Sequence, residues 1–311
     1  MTGSQITTDT EFSAASFALP DDPDWRSTAL DTMRTWAGDD SQIKVVSVHR
    51  LDHMLAIYQT ADGLRFAKTY AQEAVHAMRN EFATYSRFNG LPIVPRMHLA
   101  DAEARLLVTD YVSGGRLSEL RGAVLESALA AVPALYSSLS TGHPGRAPKH
   151  REYPLAWREL EGRTDSRGLP PPSVVLPIVS TLPAHAIHRD FQPSNILIGD
   201  NGPVAIDFES FGLDVPAMDV VRLAYNPALR ISWNTRGVLA ADMLDRFAYE
   251  HGALAISPRQ LAACCVIWAV SCAAYFTRVL ADQPQVTSHS PEVPMLSTEP
   301  LRMAVRLWNQ L

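Results

Sequence analysis

The chain of 311 residues has little cysteine, and where its cysteines fall excludes more than their number does. Cys264, Cys265 and Cys272 all lie in one apolar stretch. Neighbouring helical residues point in different directions and seven residues span two turns, so a disulfide within that helix is excluded. The three read as small core residues in a reducing, cytoplasmic setting. No Cys or His cluster has zinc spacing. Basic clusters and basic amphipathic stretches are also missing and the formal charge is -6, which argues against nucleic acid or a membrane surface as partner. The first residues lack a positive segment followed by an apolar one, so no secretory signal is expected. The longest apolar run, Leu261 to Phe276, is shorter than the ~20 residues that cross a bilayer. Ser257, Pro258 and Gln260 before it form a capping box, the start of a buried helix. No internal repeat is evident.

Against these absences stands one dense run. His188-Arg189-Asp190-Phe191-Gln192-Pro193-Ser194-Asn195-Ile196-Leu197 is followed after a short turn by Ile206-Asp207-Phe208-Glu209. Phosphoryl transfer asks little covalent help of a protein but much positioning and charge neutralisation. One Asp can orient a hydroxyl while an Asn and a second Asp hold the metal that accompanies a nucleotide. This assigns Asp190 as catalytic base and Asn195 and Asp207 as ligands of Mg2+, an ion that prefers oxygen from one or two carboxylates plus substrate phosphates. Strand-like runs at 184–187, 195–198 and 204–206 surround the motif, with Gly199-Asp200-Asn201-Gly202 as a tight turn. Asp190 and Asn195 thus share a loop, and Asp207 arrives from the adjacent hairpin. Asp and Asn are also common turn residues; the ordered run of positions, with strands where the chemistry needs them, favours the catalytic reading.

The stretch resembles the catalytic loop and metal-binding segment of the protein-kinase-like superfamily, most closely the aminoglycoside phosphotransferase and choline kinase-like family. The resemblance implies an α+β, bilobal protein-kinase-like fold. A small N-terminal lobe would hold an antiparallel sheet and one helix, and a large C-terminal lobe would be mainly helical. It implies ATP, or another nucleoside triphosphate, as donor. His188 would order the catalytic loop. Glu209 and Gln192 replace the Gly and Lys of protein kinases, while Arg189 is the residue typical of them.

The upstream sequence meets that fold's demands. Ile43 to Val48, Met54 to Tyr58 and Leu64 to Lys68 read as strands, and Lys68 falls where the family has its nucleotide-phosphate lysine. A helix is predicted over 72–88, ending at Asn89-Gly90. Ala74, Met78, Phe82 and Tyr85 mark its buried face, and Glu81 at the edge of that face is the better partner for Lys68. Glu73 is the alternative, already accounted for by the helix dipole. His49 to His53 contains no glycine, so no phosphate-cradling amides are assigned there; Arg50 and His53 read as a polar turn. Two further strands, 97–100 and 105–109, lead into a segment resembling the hinge, where main-chain groups around Asp110, Tyr111 and Val112 would bind the base.

Helical patterns continue at 122–139, 154–161, 173–181, 216–225, 235–251, 258–279 and 299–310, with a Pro- and Ser-rich surface loop at 282–297. Asp219 matches a family position that hydrogen-bonds the catalytic loop. The expected division is an unstructured 1–20, a nucleotide-binding lobe 21–112 opening with a helix to about Trp36, and a catalytic and substrate-binding lobe 113–311. The region after Asp207 offers Asp242, Asp245 and Glu250 together with Trp233, Trp268, Tyr275, Phe276 and Trp308. That balance is less acidic than a polycationic acceptor requires. The expected activity is transfer of the γ-phosphate to a hydroxyl of a small molecule, an antibiotic or related natural product, by a monomer or homodimer. A Ser/Thr hydroxyl of a peptide, and a silent nucleotide-binding role, stay open.

Overall fold

A computed structural model of the chain describes residues 23–37, 43–49, 53–146, 153–161, 163, 166–253, 255–282 and 292–310. The stretch expected to be unstructured at 1–20, residues 50–52 of the polar turn and most of the loop expected at 282–297 lie outside the described residues.

Helix α1 (Pro23–Ala37) precedes β1 (Ile43–His49), β2 (His53–Thr60) and β3 (Gly63–Tyr70), which pair consecutively and antiparallel. One 3-10 turn, Gln72–Ala74, leads into α2 (Val75–Phe88), and neither Ala71 before the turn nor Ala74 before the helix supplies a side-chain cap. Strands β4 (Met97–Asp101) and β5 (Leu106–Asp110) complete a five-stranded sheet of order β1-β2-β3-β5-β4. Its faces follow from the two-residue period of a strand. Met54, Ala56 and Tyr58 of β2 and Ala67 of β3 are buried in one cluster with Ala29 and Met33 of α1. Lys68 and Tyr70, on the other face of β3, turn toward α2, whose Met78, Phe82 and Tyr85 share a cluster with Tyr70. The small lobe thus carries a helix on each face, one more than the resemblance alone implies.

The large lobe runs through β6 (Gly115–Arg116), α3 (Gly122–Leu139), β7 (Thr141–Arg146), α4 (Tyr153–Leu160), α5 (Pro172–Val179) and β8 (Pro183–Ile187). It continues with β9 (Ile196–Gly199), β10 (Gly202–Ala205), β11 (Gly212–Asp214), α6 (Pro216–Ala224), α7 (Trp233–His251), α8 (Pro258–Asp282) and α9 (Glu292–Trp308). Two three-stranded sheets, β10-β9-β6 and β11-β8-β7, frame the catalytic loop. The periodicity does not announce β6, β7 or β11, which are short and contain Gly115, Pro144, Gly145 and Gly212. They are strands because distant partners pair with them. Gly114, at φ +155°, makes the approach of β6 to β9 possible, since a Cβ there would lie 2.0 Å from the Ile198 carbonyl oxygen.

Helix α8 is the centre of this lobe and packs against α4, α5, α6 and α9. Both α3 and α8 are long and apolar enough to cross a membrane by length and composition alone. In α8, however, every residue from Ala262 to Val270 is at most 8% exposed within the protein. Its capping box is formed as expected: the Ser257 amide donates to Gln260 Oε1 at 2.9 Å and the Gln260 amide to Ser257 Oγ at 3.3 Å. One boundary departs from the pattern. Helix α9 begins at Glu292 rather than at residue 299, inside the expected loop. Pro294 falls in its first turn, where proline is tolerated, so the composition that suggests a loop is compatible with a helix start.

Candidate active site

Lys68 lies two residues before the end of β3 and is 4% exposed. Its Nζ lies 2.8 Å from Glu81 Oε2, 3.0 Å from Asp207 Oδ1 and 2.7 Å from Glu209 Oε1. The lysine therefore joins the sheet, α2 and the segment after β10 at one point. Glu81, 2% exposed, also accepts hydrogen bonds from the Tyr70 hydroxyl and, at 3.3 Å through Oε1, from the Phe208 amide. Glu81 is thus the partner that the geometry selects, while Glu73 lies in the 3-10 turn.

On the opposite wall Asp190 Oδ2 accepts from Gln192 Nε2 at 3.1 Å and Asn195 Nδ2 at 2.9 Å. The amide nitrogen of Asn195 is committed to Asp190, which leaves Oδ1 as the oxygen it can offer a cation. His188 sits behind the loop, fully buried, with Nε2 3.0 Å from the Ile206 carbonyl. The Ile206 amide in turn donates to the Asn195 carbonyl at 3.0 Å, which stitches the two halves of the motif together. Asp219, fully buried at the start of α6, accepts from the Arg189 amide at 3.0 Å and the Phe191 amide at 3.5 Å. It holds the backbone on both sides of Asp190. Arg222, one turn on, lies 3.3 Å from Asp219 Oδ1.

Two site residues adopt left-handed backbone conformations without being glycine: Arg189 at φ +64° and Asp207 at φ +67°. Each such residue costs about 1–3 kcal/mol and persists only where its surroundings over-determine it. Here Asp219 holds the amide of Arg189, while His188, Asn195 and Glu81 hold the peptide groups on either side of Asp207.

The charges sort by environment. Burial opposes the Lys68 ammonium, but Glu81, Asp207 and Glu209 outweigh it and hold its pKa well above the usual lysine value. Burial would likewise raise Asp207, yet Lys68 and its hydrogen bond bring it below the ordinary carboxylate range. Asp190 goes the other way: burial raises its pKa, against the lowering effect of Arg222 and His188. Glu209 is also raised, chiefly by burial. Of these three acids only Asp207 is held below its ordinary value, while Asp190 and Glu209 are held above theirs.

Asn195, Asp207 and Glu209 offer only oxygen, the donor chemistry of a hard divalent cation. Carboxylate oxygens of Glu81, Asp207 and Glu209 lie within 4.8 Å of one another. Sequence reasoning treated Glu209 merely as a departure from Gly; its contact with Lys68 makes it part of the site. Tyr70 was also missed, since nothing in its sequence context separates it from an ordinary strand residue.

The hinge residues differ in what their main-chain donors already bond. Asp110 is tied down on both sides, its side chain to Arg65 at 2.9 Å and His98 at 2.6 Å. Its amide donates to the Arg96 carbonyl at 2.8 Å, and the Tyr111 amide to Leu64 at 3.2 Å. Both donors are spent on the lobe itself. Among the described residues the Val112 amide has no such bond. Tyr111 is 37% exposed and therefore not core. A cavity of about 390 Å³ lies against this hinge, lined by Asp110, Tyr111 and Val112 together with parts of 90–96 and 199–204, and Lys68, Glu81, Asp190, Asp207 and Glu209 are not in its lining.

The sequence profile described as the phosphotransferase enzyme family matches residues 57–254, a span that contains every charged residue of this site. The chain belongs to that family, and it is a small-molecule phosphotransferase with a hydroxyl acceptor. Among curated proteins no match is found. Solved structures share the fold. The choline kinase LicA from Streptococcus pneumoniae superposes with a TM-score of 0.60 at 12% identity, over 93% of this chain and 100% of that one. A choline/ethanolamine kinase family protein from Mesorhizobium loti gives 0.57 at 15% identity, over 91% and 99% of the two chains. The aminoglycoside phosphotransferase APH(4)-Ia gives 0.57 at 14% identity, again over 91% and 99%.

Proposed function

We propose that this protein is an ATP-dependent O-phosphotransferase that transfers the γ-phosphate to a hydroxyl of an antibiotic or related natural product. One observation carries the reading: Lys68 is paired with Glu81 and with Asp207, Asp190 is paired with Asn195, and Asp190 feels the charge of Asp207. Lys68 grips the nucleotide phosphates, and the Val112 amide meets the base. Asp190 aligns the acceptor hydroxyl and takes its proton late, when the oxygen has become acidic through bonding to phosphorus. Asn195 and Asp207 hold Mg2+, with Glu209 beside them, and the ion when bound neutralises charge on the phosphates. The related folds have been seen with AMP in LicA and with ADP and hygromycin B in APH(4)-Ia, which supports a nucleotide and a small acceptor.

The acceptor is neutral rather than polycationic in this reading. Asp242, Asp245 and Glu250 are exposed, on the side of α7 away from its packed residues Leu239, Ala240, Met243 and Phe247. Glu250 is paired with Arg246 at 2.7 Å. Arg222, not an acid, is the charge that acts most strongly on Asp190. A screen with labelled ATP should therefore label neutral or nucleoside antibiotics in preference to hygromycin B, choline or Ser/Thr peptides. Labelling of peptides alone would refute the small-molecule acceptor, and preference for hygromycin B would refute the neutral one.

A further inference from the structure

Asn80 stands on α2 immediately before Glu81 and has no place in the chemistry above. Its Nδ2 lies 2.7 Å from the Glu209 carbonyl, 2.7 Å from the Phe211 carbonyl and 3.4 Å from the Phe208 carbonyl. A side-chain amide has two hydrogens, so the two short contacts take them and the third is shared. Glu81 meanwhile receives the Phe208 amide at 3.3 Å. Successive residues of one helix thus hold the peptide groups that follow Asp207, Glu81 as acceptor and Asn80 as donor.

That arrangement has a direct consequence for Asp207. Its φ of +67° is strained and must be held from outside. The preceding peptide is fixed from the large lobe by His188 and Asn195, and the following residues are fixed from the small lobe by Asn80 and Glu81. Phe208 itself is fully buried, against Tyr85 at 5.2 Å and Phe88 at 6.2 Å between ring centroids. Packing therefore anchors the ring. The carbonyls at 209 and 211 lie beyond that anchor, and Asn80 holds them.

We infer that Asn80 is a positioning residue: by holding the backbone of Phe208 to Phe211 against α2, it sets Asp207 and Glu209 for the metal and ties Glu81 to the same segment. The inference rests on the phosphotransferase reading and adds to it a coupling between α2 and the metal-binding segment. A shift of α2 that drew Glu81 from Lys68 would also have to break the bonds to residues 209 and 211. Arrangement of the lysine and arrangement of the metal ligands are in this way one event.

The test uses the full chain with Asn80→Ala and the isosteric Asn80→Asp, which loses the donor and sets a carboxylate against three carbonyls. Three measurements are made: the magnesium dependence of the ATP-induced thermal shift, amide hydrogen exchange over residues 206–211, and kcat with KM for an acceptor from the screen. Both variants should need at least about tenfold more magnesium for half of the shift and exchange faster over 206–211. They should lose kcat while KM for the acceptor stays within about twofold, with Asn80→Asp the worse of the two. Asn80→Gln, which keeps the donor, should recover part of the magnesium response and serves for the same comparison if the other two do not fold. Variants that match the wild type in magnesium dependence and exchange overturn the inference, as would equal defects in all three. A wild-type protein that shows no magnesium-dependent response to ATP overturns the ATP-dependent reading proposed above, and this coupling with it.

Discussion

Replacing Glu81 by glutamine removes one charge and almost no volume, and the structure gives the expected loss. Glu81 accepts from Lys68 at 2.8 Å, from the Tyr70 hydroxyl and from the Phe208 amide at 3.3 Å, all in a site where its side chain is 3% exposed. A hydrogen bond to a charged group contributes about 1.5–3 kcal/mol and a neutral one about 0.5–1.5. Three bonds losing their charge assistance amount to roughly 3 kcal/mol, and the new NH2 must face at least one donor. Lys68 keeps Asp207 and Glu209, which offsets part of this. The net destabilisation should be about 2–3 kcal/mol, well above the 0–1 kcal/mol of a surface ion pair. At about 2–4 °C per kcal/mol for a protein of this size class, Tm should fall by roughly 5–10 °C. Differential scanning calorimetry of Glu81→Gln beside Asp31→Asn provides the check, since Asp31 pairs with Arg34 at 3.2 Å while both side chains are about two-thirds exposed. Equal Tm values for the wild type and both variants would refute the claim that the buried carboxylate organises this junction.

The remaining expectations are more direct. Asp190→Ala should abolish transfer while leaving the ATP-induced thermal shift in place, and appreciable residual turnover would refute its role as base. Because burial raises the pKa of Asp190, the acid limb of kcat/KM should lie above the ordinary carboxylate value of ~3.9, with activity falling as pH drops through it; a limb at or below that value counts against the assignment. Asp207 has the opposite sign. Its depressed pKa contributes stability that is present above ~3.9 and lost as pH falls through the lower folded value, so Asp207→Asn should flatten the acid side of a stability-versus-pH curve. Gly114→Ala should be severely destabilising, because its Cβ would lie 2.0 Å from a backbone oxygen, and an unchanged Tm would show that β6 and β9 can separate freely.

How far the sequence reaches depends on the range of each interaction. The helix over 122–139 and the capping box at Ser257 are local, and both appear as read. Lys68 could be placed because a strand's alternation fixes its face, and Glu81 because a helix's period fixes its edge. By contrast β7 and β11 exist only through pairing with β8, from 40 or so residues before it in one case and 25 or so after it in the other, and their own composition argues against strands. Helix α9 begins earlier than its prolines and serines suggest, because packing on α8 decides the matter.

The site divides in the same way. The order and spacing of His188, Asp190, Asn195 and Asp207 were by themselves enough to point to a phosphotransferase, the family the chain belongs to, because those residues sit on one loop and one hairpin whose geometry is short-range. The tertiary structure alone decided that Glu209 joins Lys68, that Asn80 bonds the carbonyls of residues 209 and 211, and that the acids of α7 point to solvent. Such contacts depend on how α2, the segment after Asp207 and the helical lobe are set against one another. Burial then turns position into chemistry: it opposes the charge on both Asp190 and Asp207, and only the one that meets Lys68 overcomes it.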